Sequence, residues 1–300
     1  MNHDGGTEGI LPVAVVATWP KGSFAESVAV DDAGAIFVTL HTDKKVVRID
    51  PVSGEVTPFV TLDRPATGLV FAADGALIVS GGAPGTAPGV VWRIERDGSV
   101  RQLVEIAEAA FLNGMTPLGD RMLINDSMGA KVYAIDPVSG LVETWLHDAL
   151  LSAPQGADGP GANGIKLFGG AAMISVTGAD RIVRVPIDNG KAGTPVVLAD
   201  ALRADDFAID ANGALYIATH QAQSLVRFAP NGTRTTLAQA KHGMVGSTAV
   251  AFGRSQHDRT CIYVTTTGGT WTVPEDKMEE AKLLRIDVGV AGQPLLGLAG

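Results

Sequence analysis

The chain has 300 residues, of which 46% are hydrophobic, with a formal net charge of −9 and an isoelectric point near 5.1. An acidic chain without basic runs is a poor partner for nucleic acid, because the phosphates would repel it. No stretch reaches the roughly 20 apolar residues that cross a bilayer, so we expect no membrane partner either. The 37 glycines and the 5% aromatic content favour many short strands and tight turns over a helical bundle or a disordered chain.

The N-terminal segment MNHDGGTEG is acidic and glycine-rich, and it predicts a disordered tail over residues 1–9. A secretory signal needs basic residues before its apolar run, so we expect a cytoplasmic protein, or a periplasmic or secreted one if a leader has been removed. The next segment, PVAVVATW, has the composition of a β-strand. The single cysteine, Cys261, cannot form an intramolecular disulfide.

Six segments share one pattern, in which an oxygen-bearing residue precedes a short apolar run. They read ESVAVD, TGLVFA, NGMTPL, NGIKLF, DDFAID and STAVAF, and they begin at Glu26, Thr67, Asn113, Asn163, Asp205 and Ser247. Successive segments begin from 41 (67 − 26) to 50 (163 − 113) residues apart, as four-stranded propeller blades do. The sequence therefore predicts an all-β fold, a single six-bladed β-propeller domain over residues 1–300. In this fold the N-terminal strand pairs with the last blade near LLRIDV and closes the ring.

Equivalent positions of the blades converge on the axis of the ring, where we expect these six residues to form one site. Four of them, Glu26, Asn113, Asn163 and Asp205, offer two carboxylates and two amide carbonyls. Such hard oxygen ligands suit Ca²⁺, whereas Zn²⁺ prefers nitrogen or sulfur and Mg²⁺ a tighter octahedron; Mn²⁺ or Zn²⁺ could replace calcium in vitro. The alternative is structural, because Asn-Gly and Asp-Asp are common turn dipeptides and a wet channel needs no ion.

Two kinds of loop lie on the same face as these oxygens, because the strands of a blade alternate in direction. They carry His220 and His242, which we expect either to contact substrate, with a possible role as base at neutral pH, or to form part of the rim.

The chain resembles the regucalcin/gluconolactonase-like (senescence-marker-protein type) six-bladed propellers over nearly its whole length. The resemblance rests on Glu26 in FAES, Asn113 in LNG, Asn163 in ANGI and Asp205 in ADDFAIDANGALYIA. In that group, and in the related squid-type phosphotriesterase, paraoxonases and bacterial lactonases, the matching residues bind a catalytic divalent ion, usually calcium. The resemblance also implies that Asn113 contacts substrate. Asp206 stands where paraoxonases place a second ligand, so it either joins the metal shell or caps a turn.

The chain departs from relatives that use a catalytic histidine on blade 2 or blade 6, because Thr67 and Ser247-Thr248 stand at those openings. It also lacks the arginine that sugar-lactone members place before the residue matching Asn113. Phe111 stands there instead, and we expect it to contact a substrate less polar than gluconolactone.

The preferred hypothesis is calcium-dependent hydrolysis of a small-molecule lactone or related ester by a monomer. The cation would polarise the carbonyl group, and Asp205 would act as base or nucleophile. The alternatives are a phosphotriesterase-type hydrolase and a non-catalytic propeller that binds a ligand or a partner.

Overall fold

Six small antiparallel sheets are arranged in a ring, as the sequence predicts for a six-bladed β-propeller. The structure is a computed structural model, and it describes residues 7–294. The helical residues in this part of the chain lie in short 3₁₀ turns, at Ala149–Leu151, Thr177–Ala179, His220–Ala222, Ala240–His242 and Glu275–Lys277. No helix between residues 7 and 294 is both long and apolar enough to cross a membrane.

The first half of the ring follows two short N-terminal strands, β1 (Thr7–Glu8) and β2 (Ala14–Trp19). Blade 1 contains β3 (Ala25–Val30), β4 (Ile36–Leu40), β5 (Lys45–Ile49) and β6 (Val56–Thr61). Blade 2 contains β7 (Ala66–Phe71), β8 (Leu77–Gly81), β9 (Gly89–Ile94) and β10 (Val100–Ile106). Blade 3 contains β11 (Leu112–Leu118), β12 (Arg121–Asp126), β13 (Lys131–Ile135) and β14 (Val142–His147).

The second half repeats this plan with additions at its outer edges. Blade 4 contains β15 (Ala162–Phe168), β16 (Ala171–Val176), β17 (Arg181–Asp188), the two-residue β18 (Lys191–Ala192) and β19 (Val196–Ala199). Blade 5 contains β20 (Phe207–Ile209), β21 (Leu215–Ala218), β22 (Ser224–Phe228) and β23 (Arg234–Gln239). Blade 6 contains β24 (Ser247–Phe252), β25 (Cys261–Thr266) and β26 (Ala281–Asp287), and β2 is its fourth strand.

The N-terminal strand closes the ring, as predicted. β2 pairs antiparallel with β26, from Ala14 opposite Arg285 to Trp19 opposite Ala281. Residues 7–9, expected to be part of a disordered tail, are instead paired with blade 5. β1 runs parallel to β23, and the amide of Gly9 donates to the carbonyl of Thr236. Residues 1–6 of the expected tail lie outside the described residues.

The second strand of a blade is covered on both faces, because buried apolar clusters lie between neighbouring blades. Every residue of β4, β8, β16 and β25 is buried. Their sequences IFVTL, LIVSG, AAMISV and CIYVTT are therefore almost continuous apolar runs, as strands buried on both faces require. Each run nevertheless has one hydroxyl-bearing residue at its penultimate position.

The residues at this penultimate position, four with a hydroxyl group and one with a side-chain amide, tie five of the blades to the next one, and we call them the linking residues. They are Thr39, Ser80, Asn125, Ser175 and Thr265, in blades 1, 2, 3, 4 and 6. In blade 2, the hydroxyl of Ser80 accepts from the amide of Gly68 at 3.1 Å and donates to the carbonyl of Asn113 at 2.7 Å. The other four donate to the residue that opens the following blade, namely Thr67, Asn163, Asp205 and Glu26.

The linking residues matter because the inner strands of five blades are irregular where they open. The pairing register shifts at a β-bulge in β3, β7, β11, β15 and β24. A bulge leaves backbone groups without a ladder partner, and a linking side chain supplies one. The residues predicted to line the axis are therefore held through their own backbone carbonyl groups.

Hydrogen bonds made by the residues that open the blades correct the predicted register of blade 6. Thr248 Oγ1 donates to the carbonyl of Ala25 at 2.7 Å, as Thr67 Oγ1 donates to the carbonyl of Leu112 at 2.7 Å. Blade 6 therefore opens at Thr248, one residue after the predicted Ser247. Both residues carry a hydroxyl group, so residue type alone does not separate the two registers.

Removal of one linking hydroxyl tests this account. The Ser80→Ala variant removes a hydrogen-bond partner from the amide of Gly68 and from the carbonyl of Asn113, at a residue that is fully buried. We expect the free energy of unfolding in urea to fall by about 1–3 kcal/mol. The matched control is Ser99→Ala, which removes an exposed hydroxyl bonded only to Asp97 and should change the free energy by less than about 0.5 kcal/mol. Equal effects of the two substitutions would contradict the linking role.

Candidate metal centre

A cavity of about 330 Å³ contains the predicted site. Glu26, Asn113, Asn163 and Asp205 all line it, so the structure brings together the four residues predicted to bind the metal. Phe111 and His220, predicted to contact substrate, line it as well. Thr67 does not, because its hydroxyl is fully buried in bonds to Ser80 and to the carbonyl of Leu112.

The cavity has an unbalanced negative charge. Its lining includes the carboxylates of Glu26, Asp158 and Asp205, and none of its lining residues is a lysine or an arginine. Burial, with the nearby charges of Asp205 and then Asp206, raises the pKa of Glu26 well above its ordinary value. Buried charges are normally paired with an opposite charge or a metal, so this lining fits a cation.

Glu26 and Asn113 are available to a ligand. Among residues 7–294, neither the carboxylate of Glu26 nor the side-chain amide of Asn113 has a hydrogen bond or an ion pair. Within the same part of the chain, no three His, Cys, Asp or Glu side chains are grouped as a metal site would need. A shell in this cavity must therefore include amide oxygens, and the oxygen-only set of Glu26, Asn113, Asn163 and Asp205 has the chemistry of a calcium site rather than a zinc site.

Asp205 is held from both sides. Its Oδ1 accepts a hydrogen bond of 2.5 Å from the Asn163 amide, which also donates to Thr177 Oγ1 at 3.1 Å. Its Oδ2 lies 2.9 Å from Nδ1 of His220, a ring that is 8% exposed. His220 therefore contacts a predicted metal ligand, which makes it a positioning residue as well as part of the cavity wall.

Two predicted site residues lie elsewhere. Asp206 Oδ1 forms an ion pair of 2.6 Å with Lys166, and both residues line a second cavity of about 140 Å³. Asp206 therefore faces a different cavity from its neighbour Asp205. Burial raises the pKa of Asp206 despite the opposing effect of Lys166.

His242 also lies outside the cavity wall. Its Nδ1 accepts a hydrogen bond of 3.0 Å from the amide of Gln239, within a capping box at the start of a 3₁₀ turn. Its ring serves local backbone structure and is not part of the cavity lining, so the contact with substrate stays a prediction for this residue.

The sequence analysis missed an aromatic wall formed by Phe24, His41 and Trp271. The ring centroids of Phe24 and Trp271 lie 4.5 Å apart, and those of Phe24 and His41 lie 5.7 Å apart. A signal for Phe24 exists, since Phe24-Ala-Glu26 matches Phe111-Leu-Asn113 in the spacing from aromatic residue to predicted ligand. Trp271 has no such signal, because it lies in a loop of blade 6 with φ +68° and is 65% exposed.

Solved structures share this fold. The chain superimposes on a luciferin-regenerating enzyme with a TM-score of 0.71 at 16% identity, over 92% of this chain and 95% of that one. The regucalcin of Agrobacterium tumefaciens, a calcium-binding protein, gives 0.69 at 17% identity over 95% and 96%. A putative gluconolactonase gives 0.71 at 14% identity over 96% of each chain.

Comparisons of the sequence itself gave no match, either with a protein-family model or with a curated protein. The structural likeness confirms the expected resemblance at the level of the fold, a regucalcin- and gluconolactonase-like propeller. At these identities the likeness concerns the fold alone.

A charge-removing substitution tests the fit of a cation. A raised pKa means that Glu26 favours the protonated form when buried, so its contribution to stability is lost as the pH rises through the folded-state pKa. At neutral pH in chelator, Glu26→Gln should therefore raise the melting temperature. With calcium at 100 times its dissociation constant, the wild type should gain about 2.7 kcal/mol, and Glu26→Gln should lose most of that gain.

The matched control is Glu55→Gln, at an exposed glutamate of a turn. This variant should follow the wild type both in chelator and in calcium. If Glu26→Gln retained the full calcium-dependent stabilisation, Glu26 would not be a ligand.

Proposed function

We propose that this chain, which has the fold of the regucalcin- and gluconolactonase-like propellers, is a divalent-cation-dependent hydrolase of lactones or related esters. The observation that carries the proposal is the pair of unpartnered groups, the Glu26 carboxylate and the Asn113 amide. They lie in an acidic cavity whose lining contains no lysine or arginine. The gluconolactonase and the luciferin-regenerating enzyme of the same fold support an enzymatic function.

The proposed cation is calcium, held by Glu26, Asn113, Asn163 and Asp205. When bound, it would polarise the carbonyl group of the substrate and offset the negative charge that develops on the carbonyl oxygen. His220 keeps the Asp205 carboxylate in one orientation, and Thr177 does the same for the Asn163 amide through its hydroxyl. The linking residues Asn125 and Ser175 fix the backbone of the same two ligands.

The predicted role of Asp205 as base or nucleophile is less favoured than its role as ligand. Both of its carboxylate oxygens already have a partner, Asn163 at Oδ1 and His220 at Oδ2. These donors, and a bound cation, all stabilise the anionic carboxylate, which makes its attack on a proton or a carbon less favourable.

The proposed substrate carries an apolar or aromatic group. The cavity lining includes four large apolar side chains, those of Phe24, Phe111, Met128 and Trp271. The rings of Phe24 and Trp271 are in contact with each other. An apolar ester group placed on this wall would bury surface that is otherwise exposed, since Trp271 is 65% and Met128 58% exposed. A sugar lactone would find no arginine in the lining to bind its hydroxyl groups.

A second candidate is a non-catalytic calcium-binding propeller. The two partners that hold Asp205 favour it, because a fully engaged carboxylate suits a ligand better than a base. The regucalcin of the same fold is described as a calcium-binding protein. The two candidates differ in turnover, not in calcium binding.

A panel of aryl esters and alkyl-substituted lactones distinguishes them. We expect the purified protein to hydrolyse members of the panel, to lose turnover in chelator and to regain it with calcium. Glu26→Gln and Asn113→Ala should each lower kcat/KM at least about 100-fold, because loss of one electrostatic contact to a developing oxyanion has effects of this size. Glu55→Gln should retain wild-type turnover. Calcium binding without turnover across the panel would favour the binding propeller.

Truncation of the Trp271 side chain tests the proposed substrate class. Trp271→Ala should raise KM for aryl esters about 2- to 10-fold with little change in kcat, since an aromatic pair contributes about 0.5–1.5 kcal/mol. The control is Leu141→Ala, an apolar residue 75% exposed at a turn outside the cavity, which should leave KM unchanged. Equal KM values for Trp271→Ala and wild type would contradict an aromatic subsite.

A further inference from the structure

His41 is a cavity residue for which the proposed function has no role so far. It directly follows β4, is 5% exposed and lines the same cavity as Glu26 and Asp205. It is neither a predicted ligand nor within two residues of one, and no hydrogen bond joins it to one.

Equivalent positions in other blades show what the fold needs at this point. Ser127 follows β12 and Thr177 follows β16, as His41 follows β4. Ser127 Oγ donates to the carbonyl of Ala162 at 2.5 Å, and Thr177 Oγ1 donates to the carbonyl of Ala204 at 2.8 Å.

His41 makes the same contact with the next blade, from Nδ1 to the carbonyl of Ala66 at 2.9 Å. A hydroxyl group is therefore sufficient for this contact in two blades. The imidazole ring brings a second nitrogen, Nε2, that the contact between blades does not require.

The contact also fixes the tautomer of His41. A carbonyl oxygen can only accept, so the proton lies on Nδ1 and the neutral ring has its lone pair on Nε2. No hydrogen bond joins Nε2 to another residue between 7 and 294. Burial lowers the pKa of His41 from its ordinary value, so the neutral ring is the form present at neutral pH.

Aromatic neighbours hold this ring in the wall. Phe24 lies 5.7 Å and Trp271 6.0 Å from it between centroids, and the amide of His41 donates to the carbonyl of Phe24 at 2.8 Å. The titratable groups that face the same cavity are Glu26, Asp158, Asp205 and His220.

We propose that Nε2 of His41 is the proton acceptor for the attacking water, a role that rests on the proposed hydrolase function. One O–H bond of the water breaks, its proton passes to Nε2, and its oxygen forms a bond to the carbonyl carbon while the π pair of the C=O bond moves onto the carbonyl oxygen. That pair then re-forms the C=O bond as the C–O bond to the leaving group breaks, and the proton on Nε2 passes to the leaving alkoxide oxygen. The net change is the addition of one water molecule, and His41 returns to its neutral form.

The role of His41 can be tested more cleanly than a role of Asp205 or His220. Asp205 has partners on both oxygens, and His220 is joined through Nδ1 to Asp205. A change at His220 would therefore disturb a predicted ligand. A change at His41 would disturb the contact with Ala66, which other side chains make elsewhere in the ring, and the packing against Phe24 and Trp271.

The test uses two substitutions that keep the contact with Ala66. His41→Asn places an amide nitrogen near the position of Nδ1, and His41→Thr copies the solution found at Thr177. Both variants should fold, show the wild-type calcium-dependent rise in melting temperature and keep KM within about 3-fold. Both should lose kcat by 10²- to 10⁴-fold, the usual contribution of a general base.

Added imidazole should partly restore turnover of His41→Asn, and it should not restore turnover of Glu26→Gln. The wild-type kcat/KM should fall on the acid side with a midpoint below about 6.5, the ordinary value for histidine, and this limb should be absent from the residual activity of His41→Asn. His257→Asn, at an exposed histidine outside the cavity, should match the wild type.

The outcomes separate the two proposals. Full turnover of His41→Asn together with lost turnover of Glu26→Gln would overturn the role of His41 and leave the hydrolase standing. A wild type that hydrolyses nothing in the panel would overturn both. If both variants failed to fold, nitrogen NMR of wild-type imidazole would decide, because a proton on Nε2 at neutral pH would overturn the proposal.

Discussion

The site depends on the hydrogen bonds that join each blade to the next through the linking residues. The inner strands are interrupted by bulges at the points where they open, and the residues at these bulges face the axis. Thr39, Ser80, Asn125, Ser175 and Thr265 bind the backbone of those residues from the neighbouring blade. The backbone of the proposed ligands is thus positioned by side chains that are not part of the cavity lining. The ligand side chains are not needed for this backbone contact.

The second constraint is electrostatic. The cavity gathers the carboxylates of Glu26, Asp158 and Asp205 without a lysine or an arginine in its wall. On the other side of the same strand start, Asp206 has the ammonium group of Lys166 at 2.6 Å. Lys166 therefore pairs with the charge of Asp206, whereas no lysine or arginine lies in the cavity lining beside Glu26, Asp158 and Asp205. An external cation would offset the charge of these three carboxylates in the proposed site, and this difference is why the cavity is proposed as the functional site.

Much of this arrangement could be predicted from the sequence, because period and residue type are local properties. The six segment openings predicted the blade number and four polar residues that line the cavity, and the strand left over before them predicted the ring closure. The register of blade 6 could not be read, since Ser247 and Thr248 both carry hydroxyls and only the hydrogen bond to Ala25 separates them. The placement of Asp206 and His242 could not be read either. The position of Asp206 depends on Lys166, which is distant along the chain, and the position of His242 depends on the fold of the turn at Gln239. The role proposed for His41 could not be predicted from the sequence, because it follows from comparison with Ser127 and Thr177 in three dimensions.

The most direct test is a crystal structure of the protein with calcium, with the ion located by its anomalous scattering. The account predicts one peak in the axial cavity, about 2.3–2.6 Å from oxygen atoms of Glu26, Asn113, Asn163 and Asp205. A cavity that holds only water at saturating calcium, or an ion bound away from these four side chains, would contradict it.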